Sequence, residues 1–385
     1  MKTKLIRYSV KLFVLCIFLV VGINVLLVDK TRKAVLNYTM NDSTHGIIGD
    51  ASKESANSGE GHLLEKKNGI VLTNDIFEVK LKPGLMELIN PTTPKYALTI
   101  NASYLLENKE LCSSFKNLTI LIIVLSSPNN VQRRKIIRET WGNSRFYSSY
   151  GTVKVLFLLG SVYNTNIQDK IKDEFNLYED ILQGSFIDSY HNLTHKTIMG
   201  YKWLTERCRN AKYIIKADDD VVINLFNVFQ SSMLDISFDQ NHVHCLRFYN
   251  PPIVRAKSSK WYVEPHQFRG TKHYSPYCLG QYVMFLNDIV PSLYKSASST
   301  PFFWIDDVFN YGIVMNNIPG LKYKQIKSNE VVSYSKLTTL KCWKHLVPRC
   351  SHVYITLDNE SQTRAVWLNI VRQNQRSEKN TTTKI

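Results

Sequence analysis

The sequence predicts an α/β fold, a mixed and mostly parallel sheet flanked by helices, set behind an N-terminal transmembrane helix and a stem. Three observations carry this. Leu118–Leu125 (LTILIIVL) is an unbroken apolar run, the pattern of a strand buried on both faces. Strand-like and helix-like segments alternate after it, as βαβ units require. Ahead of both, Leu12–Val28 is apolar except for Asn24, and residues 29–75 are rich in Ser, Asn, Lys, Glu and Gly with no sustained period.

Taken in order, Leu12–Val28 has about the length that spans a slightly thin bilayer as a helix. Lys2, Lys4, Arg7 and Lys11 precede it and Asp29, Lys30, Arg32 and Lys33 follow, so charge favours a cytoplasmic N-terminus by a narrow margin. No small-x-small cleavage site follows, and the run is longer than a usual signal-peptide core, so an uncleaved anchor is expected over a cleaved leader. The expected organisation is a cytoplasmic tail at 1–11, the anchor at 12–28, the stem at 29–75, a folded domain at 76–375 and a tail at 376–385.

The chain beyond the anchor reads as lumenal. Asn-x-Ser/Thr acceptors stand at Asn37, Asn41, Asn101, Asn117, Asn192, Asn359 and Asn380. Cys112, Cys208, Cys245, Cys278, Cys342 and Cys350 are even in number and able to form three disulfides of unspecified connectivity. Zinc is the rival reading, but His242, His244 and Cys245 lack ligand spacing. At 385 residues with 44% hydrophobic content the chain has ample material for a core. The net charge of +16 raises nucleic acid as a partner, yet Lys and Arg are scattered and no zinc-finger, RRM or basic-zipper pattern occurs. Nucleic acid is therefore not expected, whereas anionic small molecules and membranes fit.

Within the domain, Asn129–Trp141 reads as a helix and Val153–Leu159 as a second buried strand. Asp169–Tyr178 reads as another helix, Ile198, Tyr201, Leu204 and Cys208 repeat at helical spacing, and Tyr213–Ala217 reads as a third strand. Ligands of such sheets bind beyond the carboxyl ends of the strands. No GxGxxG or P-loop occurs, which argues against a dehydrogenase or P-loop kinase.

Asp218, Asp219 and Asp220 stand at the end of that third strand. Adjacent carboxylates repel unless a cation or solvent screens them, so the turn is either a solvated one or a place for a divalent ion on Asp220, assisted by Asp218, facing a diphosphate. Arg134 and Arg138 lie four apart on one face of the first helix, either a solvated face or a pair of donors for anionic oxygens. Lys216, Trp203 and Tyr190 are explained by packing or by a charge beside Asp218. Among the aromatics, Trp261 offers a flat face to a donor or acceptor sugar, with a core role as the alternative. In PFFWIDDVFNYG, Asp306 and Asp307 sit between large apolar side chains. Asp306 fits a helix cap, and Asp307 then lies in the first turn, placed to act as a base.

From Ser126 to Asn310 a series of motifs occurs in order: RRKIIRETWGN (133–143), FLLG (157–160), EDILQGSFIDSYHNLTHKT (179–197), KADDDVVIN (216–224), KWYV (260–263), YSPYCLGQYV (274–283) and IDDVF (305–309). Through them the chain resembles the beta-1,3-galactosyltransferase and beta-1,3-N-acetylglucosaminyltransferase family. The resemblance implies a GT-A-type fold, a single-pass type II anchor in the Golgi membrane with the catalytic domain in the lumen, manganese, and a UDP-sugar donor. It also implies inverting transfer, galactose favoured, onto a glycoprotein or glycolipid glycan in beta-1,3 linkage. Under it, Asp220 and Asp218 hold the metal, Arg134, Arg138, Asp218, Asp219 and Trp261 meet the donor, and Asp307 is the base with Asp306 in reserve. A lumenal glycan-binding or chaperone protein that keeps the fold without turnover is the alternative. Three departures stand out. Gly280-Gln281-Tyr282 lacks the family's second glycine, Gly312 comes one residue late after Asp307, and Thr356 occupies the place of a late metal-binding His, for which His345 or His352 is the candidate substitute.

Overall fold

The protein is described here by a computed structural model, which covers residues 103–230, 241–326, 331–332, 342–343, 350–357 and 359–382. The expected anchor and stem, the acceptors Asn37, Asn41 and Asn101, and His345 lie outside these residues.

The apolar run forms β2 (Leu118–Leu125), and it organises everything around it. Side chains alternate across a strand, so its two faces feed two separate cores. Ile120, Ile122 and Val124 enter one, while Leu121, Ile123 and Leu125 enter the other. A strand apolar on both faces is stable only when both faces are covered, and parallel neighbours joined by crossover helices do that. Accordingly β2 pairs in parallel with β3 (Val153–Ser161) on one side and β5 (Ala211–Asp218) on the other. On the first core lie α1 (Val131–Glu139), through Ile137, and α2 (Thr165–Tyr178), through Ile171. On the second lies α3 (Leu193–Arg207), through Ile198, Met199, Tyr201, Trp203 and Leu204.

A strand absent from the sequence expectation, β4 (Ile181–Ile187), adds in parallel to β3. The short β1 (Tyr104–Leu106) closes that edge antiparallel to it. After β5 come a brief β6 (Val221–Ile223) and α4 (Leu225–Gln230), and the sheet then continues beyond β5. There β8 (Tyr277–Leu286) runs antiparallel to both β5 and β7 (His242–Phe248), and β9 (Lys322–Gln325) runs parallel to β7. The order is β1-β4-β3-β2-β5-β8-β7-β9. The sheet is thus mixed and mostly parallel, with helices on its faces. A second small sheet joins β6 to β11 (Tyr354–Thr356) and β10 (Val331–Val332).

After β8 come α5 (Val290–Ser299) and then α6 (Asp306–Val308), which leads into a π-helical turn over Phe309–Val314. The last helix, α7 (Glu360–Thr382), packs Val366, Trp367 and Ile370 into the first core and runs past residue 376, where a tail was expected. Among the described residues no helix is long and apolar enough to cross a membrane.

The six cysteines pair as Cys112–Cys208, Cys245–Cys278 and Cys342–Cys350. The first closes a loop of sequence separation 96, joining the segment before β2 to the end of α3. Such a link removes much of the unfolded chain's freedom. Replacing Cys112 and Cys208 together by Ser should lower unfolding stability by about 2–5 kcal/mol. Denaturant unfolding under non-reducing conditions checks this, and an unchanged midpoint would count against a stabilising role.

Candidate active site

The parallel strands deliver their carboxyl ends to one edge, where Leu125 of β2 stands opposite Asp218 of β5. The next residues of the two strands therefore meet. Asp219 accepts hydrogen bonds from Ser126 Oγ at 2.7 Å, Asn130 Nδ2 at 2.8 Å and Arg133 Nη1 at 3.0 Å. Its side chain is only 8% exposed, so Asp219 ties the two strand-end loops together instead of facing a ligand as expected. Asp218 and Asp220 remain partly open.

Arg133, not Arg134, is the arginine of this turn. It lies 4.0 Å from Asp220 as well as on Asp219. Arg134 is fully buried. Its guanidinium donates to both oxygens of Glu174 at 2.8 and 2.7 Å, to the Ser127 and Pro128 carbonyls and to Ser126 Oγ. Arg138 donates to Asp180 and pairs with Glu174 at 2.7 Å, with Phe157 and Tyr178 rings against its plane. Burial would raise the Glu174 carboxyl, but the two guanidiniums outweigh it and hold it below its ordinary value. The expected donor-binding roles of Arg134 and Arg138 are therefore corrected, because their donors point inward to α2 and the loops. Position i and i+4 fixed a shared helix face, but only the packing of α1 on the sheet decided that this face is buried.

A small open cleft lies beside the acidic turn, with Ile136, Trp141, Val221 and Leu357 as apolar lining and Arg133 and Asp220 as polar lining. On the neighbouring side of β5 sits a second set of charges. Lys216, 1% exposed, donates to Asp218 Oδ1 at 2.8 Å and to the Gly280 carbonyl at 2.7 Å, and lies 3.7 Å from Asp306 Oδ2. Burial alone would lower the pKa of this ammonium, yet Asp218, Asp306 and Asp307 together hold it above its ordinary value.

Asp306 begins α6 but does not cap it: Ile305 occupies the cap position, and the Asp306 carboxylate accepts from Thr197 Oγ1 at 2.8 Å and Asn310 Nδ2 at 2.7 Å. It is 6% exposed. This carboxylate anchors α6 to α3 and Lys216. Asp307, the next residue, is half-buried and lies against Gly280. A Cβ at Gly280 would collide with Asp307 Oδ1 and come within 2.8 Å of Lys216 Nζ, so only glycine admits both groups here. Burial raises the Asp307 carboxyl, Lys216 partly offsets this, and Asp306 and Asp218 add to it, pushing it up to about 7.

The three departures find their places. The late Gly312 falls inside the π-helical turn Phe309–Val314, which begins after the two aspartates of α6. Where the second glycine is lacking, Tyr282 stacks its ring on Tyr354 at 5.4 Å in the core. Thr356 pairs with Val221, and the neighbouring Leu357 N donates to the Asp220 carbonyl. His352 lies beyond the other end of β11, its Nδ1 2.8 Å from Cys350 Sγ, and does not substitute at the acidic turn.

Trp261 is exposed and donates its indole N–H to Tyr190 Oη at 2.9 Å. Asn117 and Asn359 are exposed, and Asn380 lies on α7. Asn192 is a different case. Its Nδ2, the atom a glycan would occupy, donates to the Ile187 carbonyl, and Thr194 of the same triplet is buried against the Phe303 carbonyl. It is withdrawn as a glycan acceptor.

The Galactosyltransferase family model matches residues 132–326, just over half of the chain and the span that holds Arg133, Lys216, Asp218–Asp220, Gly280 and Asp306–Asp307. The chain belongs to the galactosyltransferase family. A lactosylceramide 1,3-N-acetyl-beta-D-glucosaminyltransferase of Mus musculus is 32% identical over 226 residues, covering 56% of this chain and 58% of the relative. Beta-1,3-galactosyltransferase 1 of Homo sapiens is 31% identical over 195 residues, covering 50% of this chain and 59% of the relative. The chain thus spans under three fifths of the length of each. A solved glycosyltransferase involved in the glycosylation of the major capsid of PBCV-1 is similar at a TM-score of 0.34 and 14% identity, covering 65% of this chain and 98% of that one.

Within this family member, Arg133 and Gly280 are the site residues that sequence reasoning passed over, whereas Lys216, read there as packing or a charge beside Asp218, is found paired with it at 2.8 Å. Lys216 carried a legible signal, since residues two apart on a strand share a face and Lys216 stands two before Asp218. Arg133 and Arg134 are expected to separate by experiment. Breaking a buried ion pair costs about 3–5 kcal/mol, so Arg134→Leu should lower the unfolding midpoint sharply, whereas the part-exposed Arg133→Leu should stay within about 1 kcal/mol of native. Thermal or denaturant unfolding of the two variants side by side is the check, and equal midpoints would refute the division of roles.

Proposed function

We propose that this chain is an inverting beta-1,3-glycosyltransferase of the Golgi membrane, transferring a hexose, galactose favoured, from a UDP-sugar to a lumenal glycan on protein or lipid. The observation that carries the reading is Asp307: a half-buried carboxylate with a carboxyl near pH 7, held against Gly280 beside the acidic turn. A base poised near the working pH is what proton abstraction from a sugar hydroxyl requires. Anchor and lumenal orientation are supported by the apolar run at Leu12–Val28 and by the acceptors beyond it.

In the proposed reaction an acceptor hydroxyl attacks the anomeric carbon from the face opposite UDP. The bond from that carbon to the β-phosphate oxygen breaks, its electron pair leaves with UDP, and Asp307 accepts the hydroxyl proton. Attack on the opposite face inverts the configuration. Lys216, held by Asp218, Asp306 and the Gly280 carbonyl, keeps the Asp307 carboxylate within a balanced charge set, and the Asp306 anchor fixes the start of α6. Arg133 at the rim of the cleft is placed to pair with donor phosphate oxygens.

The acidic turn fits a hard divalent cation such as manganese. Asp218 and Asp220 keep partly open carboxylates, and Thr356 Oγ1, on the strand paired beside them, is buried with no hydrogen-bond partner among the described residues. All three offer oxygen donors, which suit such an ion better than a softer metal. When bound there, the cation supplies positive charge opposite the diphosphate leaving group.

Substitution, pH and chelation test this. Asp307→Asn should reduce kcat by roughly 100-fold or more with UDP binding retained, and native kcat should rise as pH climbs through about 7, where Asp307 loses its proton. The same raised value links pH to stability. A folded carboxyl above its ordinary value stabilises fully below that ordinary value, and the contribution is lost as pH rises through about 7. In chelator, Asp307→Asn should therefore unfold at a higher temperature than native at about pH 8, with the gap closing towards about pH 4. Asp220→Ala should abolish manganese-stimulated transfer and leave the unfolding profile nearly native. Undiminished transfer in excess chelator, or in either variant, would remove the corresponding role.

A further inference from the structure

Three chain segments far apart in sequence bring aromatic rings together beside Asp307, and the catalytic proposal makes no use of them. Tyr190 opens the 3-10 turn Tyr190–Asn192 just after β4. Trp261 comes from the long connection between β7 and β8. Trp304 stands two residues ahead of Asp306. Trp261 and Tyr190 are 46% and 45% exposed, high values for large rings. They are nevertheless held in place. The Trp261 indole N–H is donated to Tyr190 Oη at 2.9 Å, and the Tyr190 and Trp304 ring centroids are 6.2 Å apart. His191 packs on Trp304 at 4.4 Å, and Lys260 Nζ lies over both Trp261, at 4.6 Å, and Tyr190, at 5.4 Å.

Aromatic surface left in water costs free energy, and a locked, exposed cluster of rings marks a binding surface. Rings fixed in advance also lose little conformational freedom when something stacks on them. The position selects the occupant. Trp304 stands three residues before Asp307. The helix that the Tyr190 turn leads into is tied to the same segment, Thr194 Oγ1 donating to the Phe303 carbonyl at 2.9 Å and Thr197 Oγ1 to Asp306 at 2.8 Å. The cluster therefore adjoins the base. A pyranose ring presents one apolar C–H face and an equatorial rim of hydroxyls, which matches a flat aromatic wall with the indole–phenol pair and an ammonium at hand as hydrogen-bonding groups.

We infer that Tyr190, Trp261 and Trp304, with Lys260, form a stacking platform for a hexopyranose ring of the acceptor glycan, orienting its hydroxyl towards Asp307. The role as acceptor platform rests on the transferase reading above, whereas the binding of a pyranose does not.

The test uses the full chain in a detergent without a sugar headgroup. Saturation-transfer NMR with methyl β-galactoside, methyl β-N-acetylglucosaminide, lactose and N-acetyllactosamine reads saccharide contact directly, and a UDP titration in manganese reads the nucleotide side. For the native chain, saturation concentrated on one C–H face of a pyranose is expected with at least one of the four. Loss of a stacked ring is typically worth about tenfold or more in affinity, so Trp261→Ala should weaken that saccharide by about tenfold, Trp261→Phe should restore most of it, and UDP affinity should stay within about twofold. Unfolding midpoints near native in both variants establish that the exposed ring was not holding the fold. No contact by any of the four saccharides, or unchanged saccharide affinity in Trp261→Ala, overturns the platform, as does a loss confined to UDP. Saccharide binding dependent on Trp261 in a chain that transfers no sugar would keep the platform and remove the transferase reading. Transfer with an unchanged acceptor KM in Trp261→Ala would do the reverse.

Discussion

The buried ammonium of Lys216 is the interaction on which the site depends. A lone charge in the interior is prohibitive, and Lys216 is tolerated because Asp218, Asp306 and Asp307 surround it and the Gly280 carbonyl takes one of its hydrogens. Those four partners come from three parts of the chain: the end of β5, the start of α6 and β8. Balancing one cation thus joins the parallel half of the sheet to its antiparallel half. It also sets the carboxyl of Asp307, since the same ammonium that lowers it competes with burial and with two like charges.

Around this centre a ring of second contacts fixes the loops at the carboxyl ends of the strands. Ser126 is the shared point. Its hydroxyl binds Asp219 and receives a hydrogen bond from Arg134, and its carbonyl receives one from Lys196, which in turn pairs with Asp188. Arg134 and Lys196 are almost wholly buried, so the charges here are spent on holding the loops. What is left facing outward is a smaller set: Arg133, the open carboxylates of Asp218 and Asp220, and Asp307. A site with few mobile charged groups presents its remaining ones in fixed directions, which is what stabilising a developing charge demands.

Much of the fold was legible because the pattern of burial repeats along the chain. The apolar run of β2, the second run at β3 and the helical spacing of α3 each reflect a face that must be covered, and such patterns are local. Strand β4 escaped notice because ILQGSFI is interrupted by Gln183 and Gly184, both buried by contacts that arise only in the sheet; Gln183 pairs with Gln168 and the Gly160 carbonyl. The antiparallel strands β7 and β8 escaped for a related reason, since their mixed polar and aromatic residues serve the site and the Cys245–Cys278 link as well as the core. The motif segments were legible as a family resemblance, and the family match at residues 132–326 agrees with it.

The sequence by itself determined which residues were available for chemistry: a run of three aspartates at a strand end, a pair of aspartates among aromatics, and a chain with the alternation of an α/β domain. It did not determine which members of each set are used. Of two adjacent arginines, the packing of α1 buried Arg134 against Glu174 and left Arg133 at the cleft. Of two adjacent aspartates, the approach of α3 engaged Asp306 through Thr197, and the missing side chain of Gly280 left room for Asp307. Neighbours in sequence point in different directions once an element is seated, and where each points depends on surfaces contributed from a hundred residues away. Residue type is a local property, whereas burial and charge balance belong to the assembled fold, so only the tertiary structure could divide those roles.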